Sequence, residues 1–393
     1  NWQSVFGGPA WAWDSRRGQY YLHNFLTEQP DLNVHNSEVQ KAILEVARFW
    51  LELGVDGFRL DALNFAMHNR DLRDNPPSGV SATDATRPFD MQQHIHNRSQ
   101  PELPRFLEQV RGVLDEYGAT FSVAEIVGGE ARTLMKTYSE PGKRLHTAYS
   151  FDFLYADKLT PKRVSDVLSN WSGDEAEGWP AWAFSNHDAP RAVSRWASDD
   201  DRDAASRAYL MLLLSLRGNI FMYQGEELGL PQGQVPFDRL LDPEAIANWP
   251  KTLGRDGART PFPWSAVADQ AGFSSVEPWL PVDDVQRMLA VDSQHGDEAS
   301  FLAFTRSCLS IRKAEAALRL GGLSIRTSGE AVLVFERIVN DRVIVCAFNL
   351  SADVVEVDAL NRDTAILLES APGVAAAMGQ GCFVGYGAVW YME

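Results

Sequence analysis

The 393-residue chain carries 36 basic and 53 acidic side chains, a formal charge of −17. Hydrophobic residues at 45% and charged residues at 23% describe an ordinary globular protein long enough for two or three domains. The acidic balance argues against nucleic acid and anionic membrane surfaces as partners, because both reward clustered Lys and Arg. No apolar run is long enough to span a bilayer. Cys308, Cys346 and Cys382 are too scattered for a disulfide framework or a zinc site and read as buried free thiols. The chain opens without Met and without a leader pattern. The expected location is the cytoplasm, with the question of a leader left to any residues ahead of Asn1.

In chain order, residues 1–36 are aromatic and turn-rich and predict no single regular element. Ser37 and Gln40 have capping-box spacing, and Val39, Ala42, Ile43, Val46, Ala47, Trp50 and Leu51 recur at helical spacing as far as Gly54. Val55–Leu60 predicts a short buried strand. A polar loop then runs from Asn64 to Pro101, followed by a helix over Pro104–Tyr117 and a strand over Thr120–Ala124. Further strands at Ala148–Phe153, Trp182–Phe184 and Asn219–Tyr223 alternate with helices over Pro161–Asn170 and Asp201–Leu216. This alternation indicates a parallel sheet covered by helices. Residues 230–295 read as a long irregular excursion, and a helix over Glu298–Leu318 follows. From Gly322 the pattern becomes that of an antiparallel domain, with strands at Ala331–Val339, Arg342–Leu350, Val354–Asp358, Thr364–Leu368 and Gly385–Met392.

Three carboxylates close segments that run out of predicted strands: Asp61 in Gly57–Asp61, Glu125 in Phe121–Glu125 and Asp188 in Phe184–Asp188. In a parallel α/β barrel the C-terminal ends of several strands carry the catalytic groups. A single carboxylate after a strand is usually a turn or cap residue. Three of them beside Arg59 and His187 point to chemistry. Paired carboxylates suit glycoside hydrolysis, in which one attacks the anomeric carbon while the other protonates the leaving oxygen. Arg59 and Asp61 flank Leu60 on one strand and so share a face, which places a guanidinium beside the anion that must attack. His94 and His96 near Asp90 read as solvated loop histidines rather than a metal site.

With these residues in view, the chain resembles the α-amylase family of glycoside hydrolases, within it the α-glucosidase and oligo-1,6-glucosidase branch. Gly57–Asp61 is similar to that family's nucleophile segment, Val123–Glu125 to its acid/base segment and Phe184–Asp188 to the segment of its third carboxylate. Gln29–Asn33 resembles the branch's marker pentapeptide, Gly218–Glu227 the eighth strand and its exit, and Arg255–Pro261 the loop over the terminal sugar. The resemblance implies a (β/α)8 TIM barrel followed by a C-terminal antiparallel β-sandwich. It implies Asp61 as nucleophile, Glu125 as acid/base and Asp188 as holder of the sugar 2- and 3-hydroxyls. Arg59 would fix Asp61, His187 would bond a sugar hydroxyl, and Arg191 and Arg255 would help close the pocket. Phe6, Phe25 and Phe151 would wall it. Ala62 stands where the branch carries Val for α-1,6 linkages, so α-1,4 glucosides such as maltose, or sucrose, are the expected substrates, with transglucosylation to alcohols and phenols.

Only about 28 residues precede Gln29, so the resemblance implies barrel strands four to eight in this chain. The expected division is 1–36 as the end of a B domain, 37–320 as barrel and 321–393 as β domain. The first three strands would come from a missing N-terminal part of the same enzyme. No cofactor is expected, and any structural Ca or Mg site would lie in that part. An oligo-1,6-glucosidase, a glucosyl-transferring relative such as a sucrose isomerase, and a non-catalytic transporter-associated homologue are the competing readings. The last is disfavoured by the presence of all three carboxylates.

Overall fold

A computed structural model describes residues 1–169, 171, 178–252, 254–359 and 364–393. The chain divides into two units: residues 1–150 with 243–252, and residues 151–242 with 253–393.

In the first unit, residues 1–36 do contain regular structure. Trp11–Asp14 (β1) and Gln19–Leu22 (β2) form an antiparallel hairpin over a small core of Trp2, Ala10 and Leu22. The helix at Ser37–Glu52 (α1) is capped one residue earlier than its sequence predicts. Asn36 accepts the Glu38 N–H at 2.9 Å, while the Gln40 side chain turns to the Val34 carbonyl. Its apolar stripe is only partly used: Leu51 is buried, but Val46, Phe49 and Trp50 are exposed. The unit is built around three parallel strands, Gly57–Leu60 (β3), Phe121–Ile126 (β4) and Thr147–Ser150 (β5), in that order. Gly57 has φ of 143°, and a Cβ there would stand 1.7 Å from the Phe121 carbonyl oxygen, so only glycine lets β3 approach β4 this closely. Helices Leu103–Asp115 (α2) and Ala131–Tyr138 (α3) supply buried apolar faces. His94, expected to be solvated, is buried instead: it stacks on Phe89 and bonds the Phe89 carbonyl oxygen and Asn97.

In the second unit, Pro161–Leu168 (α4) begins with Thr160 accepting the Arg163 N–H. The last predicted residue of that helix, 170, lies outside the described residues. Ala181–Trp182 (β6) and Asn219–Ile220 (β7) pair in parallel. Between them lie Ala192–Trp196 (α5) and Arg202–Ser215 (α6). Ten of the fourteen residues of α6 are buried, as expected for a helix apolar on most sides. Pro243–Asn248 (α7) belongs to the first unit. The irregular excursion carries the short helices Asp284–Met288 (α8) and Val291–Gln294 (α9). The long predicted helix is two, Phe301–Ala314 (α10) and Ala316–Leu320 (α11), because Glu315 is extended.

The C-terminal strands are Gly322–Ser328 (β8), Val332–Val339 (β9), Arg342–Asn349 (β10), Val355–Glu356 (β11), Ala365–Glu369 (β12), Cys382–Phe383 (β13) and Ala388–Met392 (β14). They form an antiparallel five-stranded sheet of order β12-β14-β10-β9-β8 and a two-stranded β11-β13 sheet. Val374–Met378 (α12) joins Ala347, Phe383 and Val389 in one apolar cluster. Cys308 and Cys346 are buried thiols as expected, but Cys382 is exposed. Among the described residues no helix is long and apolar enough to cross a membrane, and no group of three His, Cys, Asp or Glu is placed to hold a metal.

Candidate active site

In the first unit, the C-terminal ends of β3, β4 and β5 bring four polar side chains together. Glu125 on β4 lies directly opposite Tyr149 on β5 in the strand register. The Tyr149 hydroxyl donates to Glu125 Oε1 at 2.9 Å. Arg59 on β3 reaches the same pair: its Nη2 is 2.9 Å from Glu125 Oε2, and its Nε and Nη2 donate to the Tyr149 oxygen at 3.2 and 3.0 Å. Its Nη1 donates to Asp61 Oδ1. One guanidinium therefore holds both carboxylates.

The two carboxylates differ in surroundings. The Glu125 side chain is 4% exposed and that of Asp61 72%. Burial pushes Glu125 above the ordinary carboxyl range, further helped by Asp61, while Arg59, the Ala62 N–H and Tyr149 pull the other way. Burial works against the charge on Arg59, but Tyr149, Glu125 and Asp61 outweigh it and hold the guanidinium above its usual range. Ala62 follows Asp61 in the left-handed region, φ 38° and ψ 41°. That turn aims its N–H at Glu125 Oε2, 3.1 Å away. The small residue at 62 thus has a backbone reason as well as the linkage reason given by resemblance. Phe6 and Phe25 are half-buried and in contact, with ring centroids 5.9 Å apart; Phe25 also meets Phe65 at 5.3 Å.

In the second unit, Asp188 lies beyond β6 on a loop set by Asn186, whose side chain accepts the Asp188 and Ala189 N–H groups. Asp188 Oδ1 receives Arg259 Nη2 at 2.7 Å and stands 3.6 Å from Arg255 Nη1. Its Oδ2 is 3.3 Å from His187 Nε2. Arg259 also donates to the His187 carbonyl at 2.7 Å, so one side chain fixes both residues. Arg255 is anchored from behind by Asp242, whose side chain is wholly buried: Asp242 takes both the Arg255 backbone N–H (2.8 Å) and its Nη2 (2.6 Å). Phe151 packs edge-on against Tyr155, whose hydroxyl donates to the Asp188 carbonyl.

Arg191, expected to close around a sugar, is buried instead. Its Nη1 donates to the Gln224 carbonyl at 2.9 Å, and its guanidinium lies over the Tyr223 ring. It lines a small cavity of about 40 Å³ with Ser185, Ser206 and Glu226. Burial pushes Glu226 up to about 7.

Three residues of these clusters escape a reading of the sequence. Tyr149 has no signal except its strand, since the register that sets it against Glu125 is a tertiary fact. Arg259 lies within the Arg255–Pro261 segment, four residues after Arg255, where nothing separates its role from that of its neighbour. Asp242 lies in the irregular excursion, where no pattern marks it.

Residues 1–321 match the family described as alpha amylase, catalytic domain. A probable alpha-glucosidase of Rhizobium meliloti is 47% identical over 359 residues, covering 89% of this chain and 65% of its own length. An oligo-1,6-glucosidase of Parageobacillus thermoglucosidasius is 31% identical, covering 80% of this chain and 60% of its own. The chain thus spans just under two thirds, or less, of these curated relatives. Among solved structures, an alpha-glucosyl transfer enzyme superposes with a TM-score of 0.90 at 43% identity, over all of this chain and 74% of the other. The trehalulose synthase of Pseudomonas mesoacidophila superposes with a TM-score of 0.87 at 25% identity, over all of this chain and 75% of the other.

Proposed function

The chain belongs to the α-amylase catalytic-domain family of glycoside hydrolases, and on that premise we propose that it is a retaining, exo-acting α-glucosidase. Its fold is the family's, a (β/α)8 barrel followed by a C-terminal antiparallel sheet domain. In this reading β3 to β7 take the fourth to eighth positions of the barrel. Residues 1–36 close the B domain, 37–320 form barrel and 321–393 form the β domain.

The observation that carries the reading is the contrast between two carboxylates held by one guanidinium. Environments that differ this way divide acid from base. Buried Glu125 is suited to hold a proton. Asp61, exposed and facing Arg59, is suited to attack as an anion. In the first step an Asp61 oxygen bonds to the anomeric carbon as the bond to the leaving oxygen breaks, and the Glu125 proton passes to that oxygen. In the second, Glu125 takes a proton from water, the water oxygen bonds to the anomeric carbon, and Asp61 is released. Two inversions retain the α configuration.

Asp188 is assigned to the sugar 2- and 3-hydroxyls, with Arg255 and His187 beside it. Phe6, Phe25 and Phe151 are assigned to apolar walls. Ala62 favours α-1,4 glucosides such as maltose, with sucrose and short oligosaccharides as further substrates. Glucosyl transfer to other acceptors is part of the proposal, supported by the similarity to an alpha-glucosyl transfer enzyme and a trehalulose synthase.

The test is incubation with maltose, isomaltose and sucrose, with and without a phenolic acceptor, following products by NMR. First-formed α-glucose, maltose as the preferred substrate, and a glucoside of the phenol are expected. Asp61→Asn should abolish turnover with the fold intact. First-formed β-glucose would overturn the retaining mechanism, and glucose without any phenol glucoside would overturn transfer.

A further inference from the structure

Glu125 is surrounded by donors. Oε2 accepts the Ala62 N–H at 3.1 Å and faces Arg59 Nη2 at 2.9 Å; Oε1 faces the Tyr149 hydroxyl at 2.9 Å. A phenol oxygen offers two acceptor positions and one proton. Arg59 supplies two N–H groups to the Tyr149 oxygen, at 3.2 and 3.0 Å, so the phenolic proton is directed at Oε1. The charged and titratable groups facing Glu125 are Arg59 on β3, Asp61 at its end and Tyr149 on β5.

We propose that Tyr149 is a positioning residue that governs the proton on Glu125, donating to Oε1 when the carboxyl is ionised and confining the catalytic proton to Oε1. The inference rests on Glu125 being the general acid. An amide N–H can only donate and a guanidinium carries positive charge, so Oε2, which accepts the first and stands 2.9 Å from the second, is the poorer place for a proton. The Tyr149 hydroxyl can turn its hydrogen aside by giving up one of its two Arg59 contacts. Oε1 is therefore the oxygen from which the leaving group is protonated, and the Tyr149 O–H is what must give way when Glu125 takes up its proton.

The test is the pH dependence of kcat/KM on maltose for the wild type, Tyr149→Phe and Glu125→Gln. The alkaline limb reports loss of the proton from the general acid. Removing a donor to the carboxylate favours the protonated form, so the limb should move up by about one pH unit in Tyr149→Phe. Glu125→Gln should abolish it. Site-specific 3-fluorotyrosine at 149 makes a stronger donor of nearly the same shape and should move the limb down. It decides the matter if Tyr149→Phe does not fold. A limb that stays put in these Tyr149 variants, but is lost in Glu125→Gln, overturns the role of Tyr149 and leaves the acid/base reading standing. A limb that survives in Glu125→Gln overturns that reading, and the inference with it.

Discussion

Arg337 offers a quantitative test of what holds the second unit together. It lies on β9 with no exposed surface. Its guanidinium donates to four backbone carbonyls: Ser215 at 2.5 Å, Leu318 and Gly321 at 2.8 Å, and Gly322 at 3.3 Å. Ser215 and Leu318 lie in the last turns of α6 and α11, where carbonyls lack helical partners and carry partial negative charge. Arg337→Met fills most of the volume and donates nothing. Each bond from a charged donor contributes about 1.5–3 kcal/mol net, and burying the guanidinium costs several kcal/mol in the opposite direction. The difference is a loss of about 4 kcal/mol, with about 2 kcal/mol for Arg337→Lys, whose ammonium reaches fewer of the carbonyls. A chain of two units need not unfold in one step, so the assay is hydrogen exchange of peptides covering β9 and β10. The loss should be the same at high salt, because a buried charge is little screened. A loss below about 1 kcal/mol in Arg337→Met would refute the reasoning, since it would mean those carbonyls manage without the cation.

Three further outcomes follow from the clusters described above. Burial raises Glu226 from 4.5 to about 7, so the folded state binds its proton more tightly than the unfolded state does. That stabilisation is full below the unfolded value and lost as pH rises through the folded one. Glu226→Gln removes the loss, so its melting temperature relative to wild type should improve between about pH 5 and about pH 8; a constant difference would count against the buried acid. Ala62→Val places a β-branched residue at positive φ and should cost about 1 kcal/mol or more in denaturant unfolding, whereas Ala62→Gly should stay within about 0.5 kcal/mol of wild type. Arg259→Lys keeps the charge but loses the double hold on Asp188 and the His187 carbonyl. It should lower kcat/KM on maltose about tenfold, or about 1.4 kcal/mol, and unchanged kinetics would show that Arg255 alone suffices.

Much of the fold is legible because periodicity is local. The helical repeat after Ser37, the strands that run into Asp61 and Glu125, the alternation along β9 and the apolar run of β10 all follow from side-chain spacing. What escaped depends on distance. The hairpin β1-β2 is hidden by its aromatic residues, which suit strands and irregular loops alike, and α3 and α5 are too short for their period to stand out. The break at Glu315 leaves no mark in a continuous helical pattern. At the site, Asp61, Glu125, Arg59, Asp188 and His187 are visible as motif residues, and the structure places Arg59 in contact with both Asp61 and Glu125. Tyr149 and Asp242 act through partners 24 and 13 residues away, so no local pattern points to them. At Arg191 the motif position shows nothing of the surroundings, in which the side chain turns inward to the Gln224 carbonyl and the Tyr223 ring.

The pairing of β4 with β5 constrains how this sequence can change. Glu125 and Tyr149 meet because they are register partners, and side chains alternate faces along a strand. Deleting Ala148 would place Ser150 opposite the carboxyl, inserting a residue just before it would place Ala148 there, and either change would turn the phenol to the other face. Lengthening the connection between α3 and β5 would not. Length variation among relatives should therefore collect in residues 139–146 and spare the four residues of β5, a pattern that an alignment of homologous chains can display without any assay.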